Sequence, residues 1–387
     1  MPAVNPLINL LSAPPIPAVQ AWARDYDGSH GALIDLSQAV PGYPPHPDML
    51  RFLGEAAGSL ASAGYGPIEG EKVLRGAYAA HVGQLYRAQI DAANVHITSG
   101  CNQAFIAAIM CVAQSGDTVL TTDPFYFNHR SSLDMLGIAS GSMPCNARNG
   151  FIPVVEDVRA ALRPGITALA LVSPNNPTGA IYPAGLLSEI YALCRDNGTW
   201  LILDETYRDF LADANEPPHR LFDETDWPSH LIQLYSFSKS FCIPGHRLGA
   251  IVAGQAMVEN VAKVMDNLQI CASRAPQIAV ARAIEPLTGW RDDNRGEIAR
   301  RASALRSVMA NIEGWHVEAV GAYFAFVRHP YSDVSSVEIA ERLAKSLGII
   351  TLPGRFFGEG QEAFLRFAFA NVDVSGIKAL GARLPHF

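Results

Sequence analysis

From about residue 95 the chain alternates short, almost wholly apolar runs with stretches of helical pattern, and this restricts its fold more than any other feature. Val95-His96-Ile97-Thr98, Thr118-Val119-Leu120-Thr121, Ala168-Leu169-Ala170-Leu171-Val172 and Leu201-Ile202-Leu203 read as strands, with residues 102–113 as a helix. A strand with one wet face alternates apolar and polar residues, whereas one that is apolar throughout is covered on both faces. The pattern therefore predicts an α/β domain whose mostly parallel sheet lies between helical layers. Residues 231–235 and 248–253 read as further strands of it. After Trp290 the texture changes to a long charged helix over 291–311, strands over 323–327 and 364–369, and a helix over 337–347. That is a smaller α+β unit. Before the sheet, Pro14, Pro15, Pro17, Pro41, Pro44, Pro45 and Pro47 predict an extended arm over the surface. The division expected is 1–47 as the arm and part of the small domain, 48–289 as the large domain, and 290–387 as the C-terminal small domain.

A chain of 387 residues, 49% of them hydrophobic, can bury a sizeable core in two or three domains. A formal charge of −8, with no lysine- or arginine-rich run, argues against a nucleic-acid or anionic-membrane partner. The six cysteines are scattered without metal-ligand spacing, so they read as reduced thiols of a cytoplasmic protein, and no metal site is expected. No apolar run is long enough to span a bilayer, and the first residues lack the basic region and apolar core of a signal peptide.

In such sheets ligands bind beyond the carboxyl ends of the strands. Ser236-Phe237-Ser238-Lys239 follows the apolar run 231–235, and Pro244-Gly245-His246-Arg247 comes next. Taken alone, a lysine closing a strand reads as a solvated end residue. If buried, its ammonium form is disfavoured and the amine becomes a nucleophile near neutral pH. Ser236 and Arg247 are good phosphate partners. An amine able to form a Schiff base, beside a phosphate cradle, suggests pyridoxal phosphate. Other strand-end loops hold compatible groups. Asp204, directly after the 201–203 run, is a costly carboxylate unless paired, and a protonated ring nitrogen would pair it. Tyr207, three residues on, and Asn176, in Ser173-Pro174-Asn175-Asn176-Pro177-Thr178-Gly179, could hydrogen-bond ring oxygens. Ser99-Gly100-Cys101-Asn102 sits at a strand-to-helix turn whose amides attract phosphate. Tyr126, in Pro124-Phe125-Tyr126-Phe127-Asn128-His129, could stack on a planar ring. Each also has a plain structural explanation as turn, cap or core.

Together these residues resemble the aspartate aminotransferase superfamily, class I/II aminotransferases of fold type I, over nearly the whole chain, with six motifs in the family's order. The resemblance implies a large domain with a mostly parallel seven-stranded sheet flanked by helices, plus a smaller α+β domain, and pyridoxal 5'-phosphate as cofactor. It makes Lys239 the Schiff-base lysine, Asp204 the ring-nitrogen carboxylate and His129 the imidazole behind it. Tyr207 and Asn176 become the pair on the phenolic oxygen, and Tyr126 the stacking residue. Ser99, Gly100, Cys101, Ser236 and Arg247 become the phosphate cradle. Tyr65, in Tyr65-Gly66-Pro67-Ile68-Glu69-Gly70, resembles the tyrosine that reaches the partner subunit's phosphate, which implies a homodimer with shared sites. Arg366 is similar to the arginine that forks onto the substrate α-carboxylate. The implied activity is ping-pong transfer of an amino group between an L-amino acid and a 2-oxo acid. A carbon–sulfur β-lyase or a cyclising synthase of the same fold is the alternative. Two departures stand out. Ala39 replaces the glycine often found in the substrate loop 36–41, and the second arginine of dicarboxylate-specific members is missing. Gln269 falls near its place and Arg274 a few residues later. Gln38, Ala39, Tyr43, Gln269 and Arg274 are accordingly the candidates for reading the substrate side chain.

Overall fold

The computed structural model describes residues 2–212 and 216–387. The chain enters through two short helices, Pro6–Asn9 and Pro15–Trp22, rather than the extended arm expected from its prolines. Pro6 and Pro15 open these helices, where a missing N–H is no loss and a fixed φ is preorganised. Asn5 caps the first by accepting the Leu7 amide at 3.0 Å. A two-residue strand, β1 (Ile34–Asp35), comes next.

Seven strands then build the large sheet: β2 (Val95–Thr98), β3 (Thr118–Asp123), β4 (Ala139–Pro144), β5 (Ile166–Val172), β6 (Trp200–Asp204), β7 (Leu231–Ser236) and β8 (Gly249–Val252). Their spatial order is β2-β8-β7-β6-β5-β3-β4. The four pairs between β7 and β4 are parallel, whereas β8 runs antiparallel to both its neighbours. The reason lies in the connection. The steps from β2 to β6 each carry an α-helix and the β6–β7 step is a long connection with short 3-10 turns, but β7 and β8 are joined by the short helix Phe237–Ser240 and a tight turn, which send the chain straight back. Strands β2, β7 and β8 are buried throughout, as continuous apolar runs demand. Of the seven strands only the edge strand β4 has fully exposed residues, and its sequence, Ala-Ser-Gly-Ser-Met-Pro, is correspondingly small and polar.

The C-terminal unit begins with the helix Thr288–Met309, which starts three residues earlier than its charge pattern predicts. Strands β9 (His316–Gly321), β10 (Phe324–Arg328), β11 (Ile349–Ile350), β12 (Leu352–Pro353) and β13 (Phe364–Phe367) follow, with the helix Ser336–Leu347 among them. β12, β13, β10 and β9 form an antiparallel sheet in that order, while β11 pairs in parallel with β1. Gly179 makes the junction between the units possible. Its φ is +78°, and a Cβ there would lie 2.4 Å from the Phe324 carbonyl oxygen and 2.5 Å from the Gly321 nitrogen. Only a bare backbone lets the β9–β10 turn approach the 173–179 loop this closely.

Candidate active site

The strand registers bring the loops together. Thr98 and Ser236 both face Gly249 across β8, so segments 99–101, 236–239 and 247–249 converge at one end of the sheet. Val172 is level with Asp204, which sets the Asn176 loop beside the carboxylate. A cavity of about 500 Å³ opens there. Its wall includes Gln38, Ala39, Cys101, Tyr126, Asn176, Asp204, Tyr207, Ser236, Lys239, Arg247 and Arg366.

Asp204 is 4% exposed. Burial alone would raise its carboxyl, but His129 Nε2 at 3.3 Å and the Thr206 amide at 2.9 Å outweigh that effect and hold it below its ordinary value. His129 lies behind the carboxylate rather than on the cavity wall, and stacks on Phe105 with ring centroids 3.8 Å apart. Asp204 therefore presents a fixed anion to the cavity.

Lys239 projects from the helix Phe237–Ser240, which Ser236 caps by accepting the Ser238 amide. It keeps some exposed surface because it faces the cavity, yet protein surrounds it otherwise, and its ammonium donates to the Ala39 carbonyl. Burial first, then the Arg247 and Arg366 charges, lower its pKa from 10.5 to about 8. Arg366, on β13, is 2% exposed. It donates to Asn176 Oδ1 at 3.0 Å and to the Ser37 carbonyl, and lies against the Phe324 and Phe357 rings at 4.9 and 5.2 Å. Burial lowers its pKa to about 10, so it stays cationic at neutral pH. Its Nε has no partner among the described residues. A buried guanidinium held only by neutral acceptors is suited to an incoming anion.

Tyr207 is buried against Tyr323 and Phe324, and burial holds its phenol well above the usual value, so its hydroxyl is a donor. Asn176 accepts from Arg366 through Oδ1, which leaves its amide N–H groups to donate. Tyr126 borders the cavity and accepts from Asn128 Nδ2 at 2.8 Å.

At the mouth, Gly100 has φ +88°, and a Cβ there would come within 2.3 Å of Arg247 Nη2. The bare glycine lets the guanidinium close over the N-terminus of the helix Cys101–Val112. Ser99 stands one step outside the wall. Its amide donates to Gln103 Oε1 at 2.6 Å, so that N–H is already used. Its hydroxyl accepts from Gln269 Nε2 at 2.6 Å, and Gln269 Oε1 in turn accepts from Gln103 Nε2 at 2.7 Å. Ser238 Oγ, on the cavity wall, is buried and has no hydrogen-bond partner among the described residues. A fixed anion, a buried amine, an arginine over a helix N-terminus and an orphaned hydroxyl fit pyridoxal phosphate: carboxylate for ring nitrogen, amine for aldehyde, and cation with N–H groups for phosphate.

The remaining candidates part company. Tyr65 is 80% exposed and is not part of this chain's own cavity wall. Arg274 is tied up with Glu71 Oε1 at 2.5 Å and the Ala61 and Gly64 carbonyls at 2.5 and 3.4 Å. Tyr43 packs edge-on to Trp290 and does not border the cavity. Sequence reasoning missed Ile16, Val40, Phe127, Asn128 and Ser238 as wall residues. Ser238, a hydroxyl beside Lys239 in the quoted motif, carried a readable signal, whereas Ile16, Val40, Phe127 and Asn128 are identified by proximity alone.

A family model described as aminotransferase class I and II matches residues 32–384. The chain is 28% identical over 385 residues to a valine–pyruvate aminotransferase of Mycobacterium tuberculosis, covering 96% of this chain and 97% of that one. It is 26% identical over 358 residues to an aromatic aminotransferase of Arabidopsis thaliana, covering 91% and 88%. Among solved structures, a double mutant of Thermus thermophilus aspartate aminotransferase superposes with a TM-score of 0.91 over 100% of both chains, at 22% identity. That last likeness bears on the fold.

Proposed function

The chain belongs to the class I and II aminotransferases, a family of pyridoxal-phosphate enzymes, and on that premise we propose that it moves an amino group between an L-amino acid and a 2-oxo acid in two half-reactions at this cavity. The observation that carries the reading is Arg366: a buried cation with an unpartnered Nε, on the same cavity wall as an amine whose pKa is depressed to about 8.

When bound, the cofactor supplies an aldehyde that takes up the amino group and a ring that accepts an electron pair from the substrate α-carbon. Lys239, Asp204, Tyr207, Asn176, Ser236, Ser238, Arg247 and the 99–101 turn would hold it, with Tyr126 against the ring. Asp204, kept ionised by His129 and Thr206, holds a proton on the ring nitrogen. Tyr207 and Asn176 donate to the phenolic oxygen. Arg366 receives the α-carboxylate as a two-pronged donor, and the flanking Phe324 and Phe357 rings restrict its swing. Lys239 Nζ takes the proton from the substrate α-carbon and returns it on the product side. A lysine near pKa 8 does both at neutral pH, whereas at 10.5 only about one in a thousand would be free amine at pH 7.5. The 37–40 loop limits water over the cavity, with its Ser37 and Ala39 carbonyls bound to Arg366 and Lys239. One arginine serves both carboxylate substrates, so the two half-reactions alternate.

We also propose a cytoplasmic homodimer. Leu60 and Tyr65, 91% and 80% exposed, lie on a segment joined to residues 271–274 through the Gly66 amide on Cys271 Sγ and Arg274 on the Ala61 carbonyl. Exposed Ile270 adjoins them. A second copy would cover this apolar surface and take Tyr65 toward its own phosphate cradle. The six cysteines are free thiols, and no described helix is long and apolar enough to cross a membrane.

Product analysis tests the activity. An amino acid and a 2-oxo acid together should yield the exchanged pair. A 2-oxo acid plus ammonia from one amino acid alone would replace this reading with β-elimination.

A further inference from the structure

Amino-group transfer by itself leaves the substrate side chain open, and the cavity narrows it. With the residues assigned to cofactor and α-carboxylate set aside, the wall that remains is Ile16, Gln38, Ala39, Val40, Phe127 and Asn128, together with Asn102, Val172, Thr206 and the 244–245 turn nearer the cofactor loops. None is charged. Asn128 is committed to the Tyr126 hydroxyl at 2.8 Å, so its amide helps position that ring. Gln38 is exposed at the rim, and Ile16, Val40 and Phe127 are the large apolar side chains beside it on this part of the wall.

The cations on the wall are Lys239, Arg247 and Arg366, and each already has a partner in the reading above. A substrate with a second carboxylate needs another. Arg274 and Gln269 are the two candidates near the expected sequence position, and the fold commits both. Arg274 Nε donates to Glu71 Oε1 at 2.5 Å, in a pair whose side chains are only 21% and 14% exposed, and its Nη1 serves two carbonyls. The Glu71 carboxylate therefore neutralises it where it stands, which holds equally for a copy approaching from a second subunit. Gln269 is spent on Ser99 and Gln103. Among the described residues the only carboxylate on the wall, Asp204, belongs to the ring nitrogen, so a cationic substrate side chain finds no anion there either.

We infer that the amino acids this site takes carry uncharged, apolar side chains, packed against Ile16, Val40 and Phe127. This inference rests on the aminotransferase reading. A distal carboxylate would lose its hydration without gaining a cation, whereas an aliphatic, thioether or aromatic side chain gains contact.

The test is a set of half-reactions on reconstituted holoenzyme, in which leucine, methionine, phenylalanine, aspartate, glutamate and lysine are added singly and the cofactor spectrum is followed. The apolar amino acids should exceed aspartate and glutamate in kcat/KM by at least about 10²-fold. Aspartate or glutamate equal to leucine would overturn the substrate class and leave the aminotransferase reading standing. No response to any amino acid would overturn that reading instead. Two variants bear on the cause. Val40→Arg should raise the aspartate-to-leucine ratio at least about 10-fold by supplying the missing cation. Arg274→Ala should leave the ratio unmoved, and selective collapse of dicarboxylate activity would make Arg274 the distal reader and refute the inference.

Discussion

Gly100→Ala strains one residue in two separable ways. Gly100 adopts φ 88° and ψ 167°, a region open essentially only to glycine, so any side chain costs about 1–3 kcal/mol of folding stability. Its new Cβ would lie 2.3 Å from Arg247 Nη2 and 2.9 Å from Cζ. The arginine is exposed and long, so it swings away rather than breaking the fold. What is lost is its place over the helix N-terminus. A hydrogen bond to a charged group contributes about 1.5–3 kcal/mol, so cofactor affinity should fall about 10- to 150-fold. The assay is equilibrium titration of apoenzyme with pyridoxal phosphate, with urea unfolding of the same samples. Arg247→Gln should produce a similar loss of affinity without the backbone cost. The double variant should bind scarcely worse than either single one, because both remove the same contact. If Gly100→Ala destabilises the protein yet binds cofactor normally, or if the two losses add in full, Arg247 is not the phosphate residue and the cradle is wrongly placed.

Other expectations follow from the same geometry. Lys239→Ala should abolish turnover at every pH. In the natural chain kcat should rise as Lys239 loses its proton and level off above about pH 8, and a flat profile between pH 6 and 9 would remove Lys239 as the base. Asp204→Asn should cut kcat by at least about 10²-fold while cofactor remains bound, and an unchanged rate would break the ring-nitrogen assignment. Because the folded carboxyl lies below its ordinary 3.8, its contribution to stability is present above that pH and is lost as pH falls through the lower folded value, so no Asp204 limb should enter the activity profile near neutrality. Gln269→Ala frees Ser99 from its oriented hydrogen bond. It should weaken cofactor binding about 2- to 10-fold with kcat preserved at saturating cofactor, and unaltered affinity would show that Ser99 needs no such support.

The chain's chemistry was largely written at strand ends, where it can be read locally. A lysine after one apolar run and a carboxylate after another are each defined by a few neighbouring residues, and burial of the runs follows from their composition. The same locality made the helices and the mostly parallel order legible. The initial prolines misled because proline favours both extended chain and a helix's first turn, and only capping and packing decide between them. The reversal of β8 depended on the brevity of one connection. Most of the specificity was settled at long range. Arg274 meets Glu71 across 203 positions, Arg366 meets Ser37 across 329, and Ile16 and Val40 share a wall with Phe127 only in the folded structure. An arginine looks the same in sequence whether it awaits a substrate or is already neutralised. Charge compensation and cavity shape are properties of neighbours in space, so the reaction could be read along the chain while the substrate's character had to come from the fold.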